Sequence, residues 1–165
     1  MSLEVTENQL DAIIRAAIEK HGDQRDAVIP ILGEINRALG YIPGEALGKI
    51  RRCINTPEKG LFLADSHLYS IASFYHMYSL KPVGRHIVRY CESAPCHVVG
   101  GRQVIQRLHD FLGLEPGETS ADGRWTLFQT SCLGICSVGP VLLVDDDIYG
   151  HVTPQRVSFI LAKYR

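Results

Sequence analysis

Long apolar runs are missing from this 165-residue sequence: the strongest late one, Pro140 to Val144, is far too short to cross a bilayer. The opening Met-Ser-Leu-Glu-Val-Thr-Glu has neither the basic n-region nor the apolar h-region of a secretory leader. These absences point to a cytoplasmic protein; any association with a membrane comes through other proteins. An excess of one charge is missing too. Lys and Arg number 17 against 18 Asp and Glu, for a formal net charge of −1, and Arg51, Arg52, Arg102 and Arg107 are scattered rather than massed. No field holds a polyanion, so nucleic acid is excluded as a partner. Neither a dinucleotide fingerprint nor a Gly-rich phosphate loop is present, so the chain does not bind NAD or flavin by itself. Repeats and low-complexity tracts are absent. The 45% hydrophobic content suffices for a core, in one domain or two small ones.

Cysteine is present in an informative arrangement. Four of the five stand in two close pairs, Cys91-Glu-Ser-Ala-Pro-Cys96 and, after 35 intervening residues, Cys132-Leu-Gly-Ile-Cys136. In a reducing compartment such pairs argue against a disulfide framework and for metal ligation or redox chemistry, with Cys53 as the spare. A 2Fe-2S core is two irons bridged by two sulfides, and each iron completes its tetrahedron with two thiolates. Two loops with two cysteines each meet that demand, Cys91 and Cys96 on one iron, Cys132 and Cys136 on the other. A structural zinc site also accepts four thiolates, but it favours two-residue gaps within each pair, and gaps of four and three suit it less. The Cys-x-x-Cys of a redox dithiol is absent.

Other residues near the pairs take supporting or ordinary roles. Backbone N–H groups aimed at the sulfurs must offset a cluster's negative charge. Gly100, Gly101 and Gly134 permit close approach, and a helix beginning near Val98 points its positive end at the site. His97 adjoins Cys96, but with four thiolates available it reads as a neighbouring or surface group. His67, His76, His86, His109 and His151 share no metal-like spacing. Asp145-Asp146-Asp147 lacks the glycine and twelfth-position glutamate of a calcium loop and reads as a hairpin turn.

The first half of the chain is helical in pattern. Thr6 and Gln9 form a capping box before a stripe of Leu10, Ile13, Ile14, Ala17 and Ile18, stopped by Gly22. A second helix starts near Asp23 with Val28, Ile31, Leu32, Ile35 and Leu39 on its stripe; Pro30 implies a later start or a kink, and Gly40 ends it. Leu47, Ile50 and Ile54 mark a third. A fourth runs from about Leu61 to Tyr78; its run Phe74-Tyr75-His76-Met77-Tyr78 reads as core packing of a short helix, with a partner or cofactor contact as the alternative. These four pieces predict a bundle over residues 1–80. Beyond Lys81-Pro82-Val83-Gly84 the pattern changes: a strand at 86–90 running into Cys91, a helix with Val104, Ile105, Leu108, Phe111 and Leu112, and a strand at 125–130 delivering Cys132. A hairpin of 140–144 and 148–150 follows, then a helix opened by Thr153 as N-cap and Pro154 at N1, with Val157, Ile160, Leu161 and Tyr164 inward. The order β, α, β, β, α predicts a reduced thioredoxin-like domain over residues 81–165, so the fold class is α/β with an appended helical bundle.

These residues resemble a known family. The cysteine gaps of four and three, Gly40-Tyr41-Ile42-Pro43, Phe74-Tyr75 before the Lys81-Pro82-Val83-Gly84 turn, and Gly150-His151-Val152-Thr153-Pro154 are similar to the 24-kDa (E) subunit family of NADH:quinone oxidoreductase. The resemblance covers nearly the whole chain. It implies a thioredoxin-like 2Fe-2S domain and a partner flavoprotein subunit that holds FMN and oxidises NADH. It also implies further iron-sulfur subunits and relatives in NAD-linked hydrogenases, formate dehydrogenases and electron-bifurcating complexes. In the respiratory members the cluster lies beside the flavin, off the main electron chain. Pro140 matches the cis-proline of thioredoxin-like folds. The expected function is a one-electron carrier, and the competing readings are a free-standing ferredoxin or a structural zinc module.

Overall fold

The computed structural model describes residues 7–54 and 62–164. The chain divides into two compact units, with the boundary between Pro82 and Val83. Among the described residues no helix is long and apolar enough to cross a membrane.

The first unit contains α1 (Glu7–His21), α2 (Val28–Leu39), α3 (Gly44–Ile54) and α4 (Asp65–Phe74). Their apolar stripes meet in one core that includes Leu10, Ile14, Ile31, Leu32, Ile35, Ile50 and Leu68. Gly22 and Gly40 close α1 and α2 by donating their N–H groups to the carbonyls of Ile18 and Asn36. Thr6 lies outside the described residues, so the capping box does too. The second helix begins at Val28, after a 3₁₀ turn Arg25–Ala27, which puts Pro30 in the first turn, where its missing N–H has no helical partner to lose.

The fourth helix is shorter than its pattern predicts. Leu61 lies outside the described residues, and at the other end Tyr75 is already extended. Tertiary hydrogen bonds win there over helix continuation: Tyr78 Oη donates to Ile29 O at 2.8 Å, and Asn36 donates to Met77 O and accepts from Ser79 N. The aromatic run is therefore not carried round a helix onto the core. Tyr78 packs partly against it, but Phe74 is 74% exposed and Met77 66%.

The second unit is a four-stranded sheet with helices α6 (Arg102–Leu112) and α7 (Pro154–Leu161). Its strands are β1 (His86–Cys91), β2 (Trp125–Thr130), β3 (Leu142–Val144) and β4 (Asp147–Tyr149), in spatial order β2-β1-β3-β4. β1 and β2 are parallel, from His86↔Trp125 to Cys91↔Thr130, while β3 is antiparallel to both β1 and β4. Alternation along the strands puts Val88, Tyr90, Leu127, Leu142 and Val144 in one core with Val104 and Leu108 of α6 and Val157, Ile160 and Leu161 of α7. Thr153 precedes α7 but makes no side-chain cap bond. The Glu115–Gly123 loop is not free: it pairs along β2 through Gly117 N to Leu127 O, Leu127 N to Glu118 O and a Thr119↔Thr126 bridge.

The acidic turn pins the sheet. Asp145, at φ 54, accepts from Ile87 N and from His86 Nδ1, both at 2.8 Å. The His86 ring lies 5.3 Å from the Trp125 ring and 5.4 Å from that of Tyr164. Tyr164 Oη in turn donates to Asp147 Oδ2 and shares a 2.7 Å hydrogen bond with Tyr149 Oη.

Candidate metal centre

Parallel pairing of β1 and β2 brings their C-terminal ends to one end of the sheet, with Cys91 beside Thr130. The loop after β1 carries Cys96 and the loop after β2 carries Cys132 and Cys136, so strand polarity alone delivers both pairs to one place. Cys53 is on the exposed side of α3 in the other unit.

A helical turn, α5 (Ala94–Cys96), starts two residues beyond β1, after Glu92 and Ser93, with Pro95 in its first turn. The helical run thus begins ahead of Val98, and Cys96 lies within it rather than before it. A wide π-type turn, His97–Gly101, follows and opens at Gly100, whose φ of 106 favours glycine, before α6 continues. His97 is exposed on that turn. Beyond β2, Cys136 opens the 3₁₀ turn Cys136–Val138, and the Gly139–Pro140 peptide bond is cis. The chain passes close to Cys96 here: a Cβ built on Gly139 would stand 3.2 Å from Cys96 Sγ. Nothing periodic in the sequence marks Gly139; its one signal is its place before Pro140.

The pairs differ in exposure. Cys91 and Cys96 are 4% and 2% exposed and pack with Val141 among Leu133, Ile135, Val138 and Leu143. Cys132 and Cys136 are exposed, with their Sγ atoms 3.5 Å apart. Two thiolates sharing one tetrahedral metal at ~2.3 Å stand about 3.7 Å apart, so this pair already has a chelating separation. Among the described residues no three His, Cys, Asp or Glu side chains gather around a point that one ion could occupy. The donors come as two pairs, the division that two irons require and one zinc does not.

Backbone donors reach the sulfurs from several directions. Gly134 N–H, on a residue with φ 79, donates to Cys132 Sγ at 3.4 Å. Burial pushes the Cys91 thiol up, but hydrogen bonds from the backbone and side chain of Ser93, from Cys96 and from the backbone of Leu133 together outweigh it and hold the thiol below its ordinary value. Cys96 is pushed above its ordinary value by burial and by its neighbour Cys91, against the Val141 backbone bond. Cys136 is pushed up by its hydrogen bond with Cys132, by burial and by the nearby charge of Cys132 and Cys91. Sulfurs crowded so that Cys91 disfavours ionisation of Cys96, and Cys132 that of Cys136, with N–H donors beside them, are what a cationic metal core stabilises as thiolates. The donor set fits a 2Fe-2S group.

A parallel β-α-β arm joined to a β-hairpin and closing helix, with paired cysteines at one sheet end, defines the class: a thioredoxin-like iron-sulfur fold. The family model for the thioredoxin-like [2Fe-2S] ferredoxin matches residues 14–165, and the chain belongs to that family, within the branch formed by the E subunits of NADH-quinone oxidoreductase. It is 36% identical over 161 residues to the NADH-quinone oxidoreductase E subunit of Salmonella typhimurium, covering 95% of this chain and 93% of that protein. The E subunit of Aquifex aeolicus is 29% identical over 163 residues, covering 96% and 98%. Among solved structures, an NAD+-reducing [NiFe]-hydrogenase crystallised in its H2-reduced state matches with a TM-score of 0.65 and 20% identity, covering 81% of this chain. The match spans 22% of that hydrogenase chain, which contains this fold within a larger polypeptide.

Proposed function

We propose that this chain is a one-electron carrier subunit that holds a 2Fe-2S cluster on Cys91, Cys96, Cys132 and Cys136, next to the flavin of an NAD(P)H-oxidising partner. The observation that carries the reading is the delivery of two cysteine pairs to one end of the sheet by parallel β1 and β2. When bound, a 2Fe-2S group supplies a site that takes up and gives back single electrons. The chain's own residues do the rest. Cys91 and Cys96 anchor the buried side, where Leu133, Ile135, Val138 and Val141 exclude water. N–H groups of Leu133, Gly134 and Val141 offset the negative charge of the thiolates. Cys132 and Cys136 form the exposed side, open to a redox partner.

The relatives named as E subunits of NADH-quinone oxidoreductase, spanned almost end to end, support a place in a multisubunit NADH-type oxidoreductase; the family resemblance implies the NADH:quinone, hydrogenase and formate dehydrogenase types. The partners are an FMN- and NAD-binding flavoprotein subunit, where catalysis resides, and further iron-sulfur subunits. Residues 1–80 form a bundle that docks the chain in that assembly, and residues 81–165 form the cluster domain. Iron and acid-labile sulfide analysis tests the reading: two of each per chain are expected, with visible absorption and an EPR signal after dithionite. One zinc, no visible band and no EPR signal would sink it. Purification from the native host should bring the flavoprotein along, whereas a monomer free of flavin would favour the free-standing ferredoxin.

A further inference from the structure

The exposed cysteine pair has a chemistry of its own before any cluster is inserted. Cys132 Sγ and Cys136 Sγ stand 3.5 Å apart, both open to solvent, across Leu133-Gly134-Ile135. A disulfide needs ~2.05 Å between sulfurs, so the gap to close is about 1.5 Å. Cys132 lies in a loop without regular structure, and Gly134 holds the left-handed backbone that folds the loop back on itself. Cys91 and Cys96 are just as clearly shut away, at 4% and 2% exposure beneath Val141 and its apolar neighbours. Thiol–disulfide exchange depends on access to the sulfur, so the two pairs differ in reactivity whatever their intrinsic nucleophilicity.

We propose that Cys132 and Cys136 are a site of reversible oxidation in the newly made chain, closing to a disulfide by exchange with a small-molecule disulfide of the glutathione type, while Cys91 and Cys96 stay reduced. The thiolate of one cysteine attacks the small disulfide, forming a mixed disulfide and releasing one small thiol. The other cysteine then attacks the mixed disulfide at the protein sulfur, forming the Cys132–Cys136 bond and releasing the second small thiol. Two protein thiols are oxidised, one small disulfide is reduced to two thiols, and the protons pass to the released thiols. A dithiol reductant reverses both steps. The consequence for the metal centre rests on the ligand assignment proposed above: the closed pair offers iron no thiolate, so cluster insertion waits for a reductant.

The test uses the full chain carrying Cys53→Ser, because Cys53 is also exposed and would take up glutathione by itself. Reduced, iron-free protein is treated with glutathione disulfide under argon, alkylated under native conditions, then unfolded and alkylated with a second reagent before peptide mapping. Expected are joint loss of alkylation at Cys132 and Cys136, a peptide two hydrogens lighter than its reduced form, and Cys91 and Cys96 both alkylated after unfolding. With Cys136→Ser added, a stable glutathione adduct on Cys132 is expected in place of the closed loop. Lasting glutathione adducts on both Cys132 and Cys136 without a bond between them would overturn the proposal, as would a Cys91–Cys96 bond forming equally fast. Iron and sulfide then separate the two readings: because sulfide itself attacks disulfides, closed protein should gain visible absorption only after a lag that prior dithiothreitol removes. If the loop closes and reopens as described but the reopened chain takes up no iron, the ligand assignment fails and the oxidation site stands.

Discussion

A Cβ placed on Gly101 would stand 2.6 Å from the carbonyl oxygen of Cys96, because the wide turn His97–Gly101 lays residue 101 against residue 96. The turn that lifts Cys96 into the site is thus closed by a glycine with no room for a side chain. Gly101→Ala forces the Cys96 backbone to move, at a cost of about 1–3 kcal/mol for an overpacked contact. The expected result is a lower thermal midpoint together with less iron bound per chain. Gly48→Ala in α3 is the control, since a Cβ there meets nothing within 4 Å. Alanine inside a helix should raise stability by ~0.5–1 kcal/mol. Equal effects of the two substitutions would contradict the close approach.

The carboxylate of Asp145 ties the β3–β4 turn to β1 through His86 Nδ1 and Ile87 N, at a φ that asparagine tolerates and alanine does not. Asp145→Asn keeps one acceptor and the turn geometry. Asp145→Ala loses both hydrogen bonds and adds left-handed strain, so it should cost about 1–2 kcal/mol more than Asn. Urea midpoints at unchanged slope measure the difference. Indistinguishable variants would show that the turn needs neither a side-chain acceptor at residue 145 nor a residue tolerant of the left-handed backbone.

Much of this is legible in the sequence, and what is not has a common cause. The cysteine pairs, the strands over 86–91 and 125–130 and the helix stripes show because periods of 2 and 3.6 are written locally. The fit of Gly101 against Cys96, the pairing of the 115–123 loop along β2 and the His86–Asp145 link join residues through tertiary contact and leave no local period. The fourth helix ends earlier than its pattern predicts for the same reason: Asn36 of α2 captures the Met77 carbonyl and the Ser79 N–H, and the Tyr78 hydroxyl reaches across to the Ile29 carbonyl. Strand order follows from pairing rather than from pattern. The unequal exposure of the two cysteine pairs arises likewise from the apolar side chains that Leu133 to Val141 lay over one pair and not the other, which no spacing encodes.

Glu34 links α2 to the end of α1. Hydrogen bonds from Lys20, His21 and Arg37 hold its carboxyl down at about 2, against a partial burial that pushes the other way. A carboxylate whose folded value lies below its unfolded value, about 4.3, stabilises fully above the unfolded value and loses that stabilisation as pH falls through the folded one. Glu34→Gln should therefore be less stable than the parent at pH 7, and the gap should close between about pH 4.5 and about pH 2. Urea midpoints of the far-ultraviolet signal across that range give the answer. A gap that stays constant with pH would mean that the carboxylate charge is not what stabilises the junction.

Cys53, the exposed pair Cys132 and Cys136, and the buried Cys96 should separate into three grades when each is replaced by serine. Cys53 lies exposed on α3, outside the unit that carries the other four, so Cys53→Ser should leave iron content and the visible band unchanged. Cys132 and Cys136 are exposed, and water can hydrate a substituted hydroxyl there while the glycine-containing loop adjusts. Cys132→Ser should retain part of its iron, with a shifted visible band, because a hard oxygen donor replaces a soft sulfur. Cys96 has no such freedom: it is 2% exposed, receives the Val141 backbone bond, and is crowded by Gly101 and Gly139. A serine oxygen there must both reach the metal and satisfy its own hydrogen bonding among apolar side chains, so Cys96→Ser should lose the most iron. Iron per chain and absorbance, measured on protein that remains folded by circular dichroism, rank the variants. Iron loss in Cys53→Ser would overturn the ligand assignment, and equal loss at Cys96 and Cys132 would show that burial does not set the order.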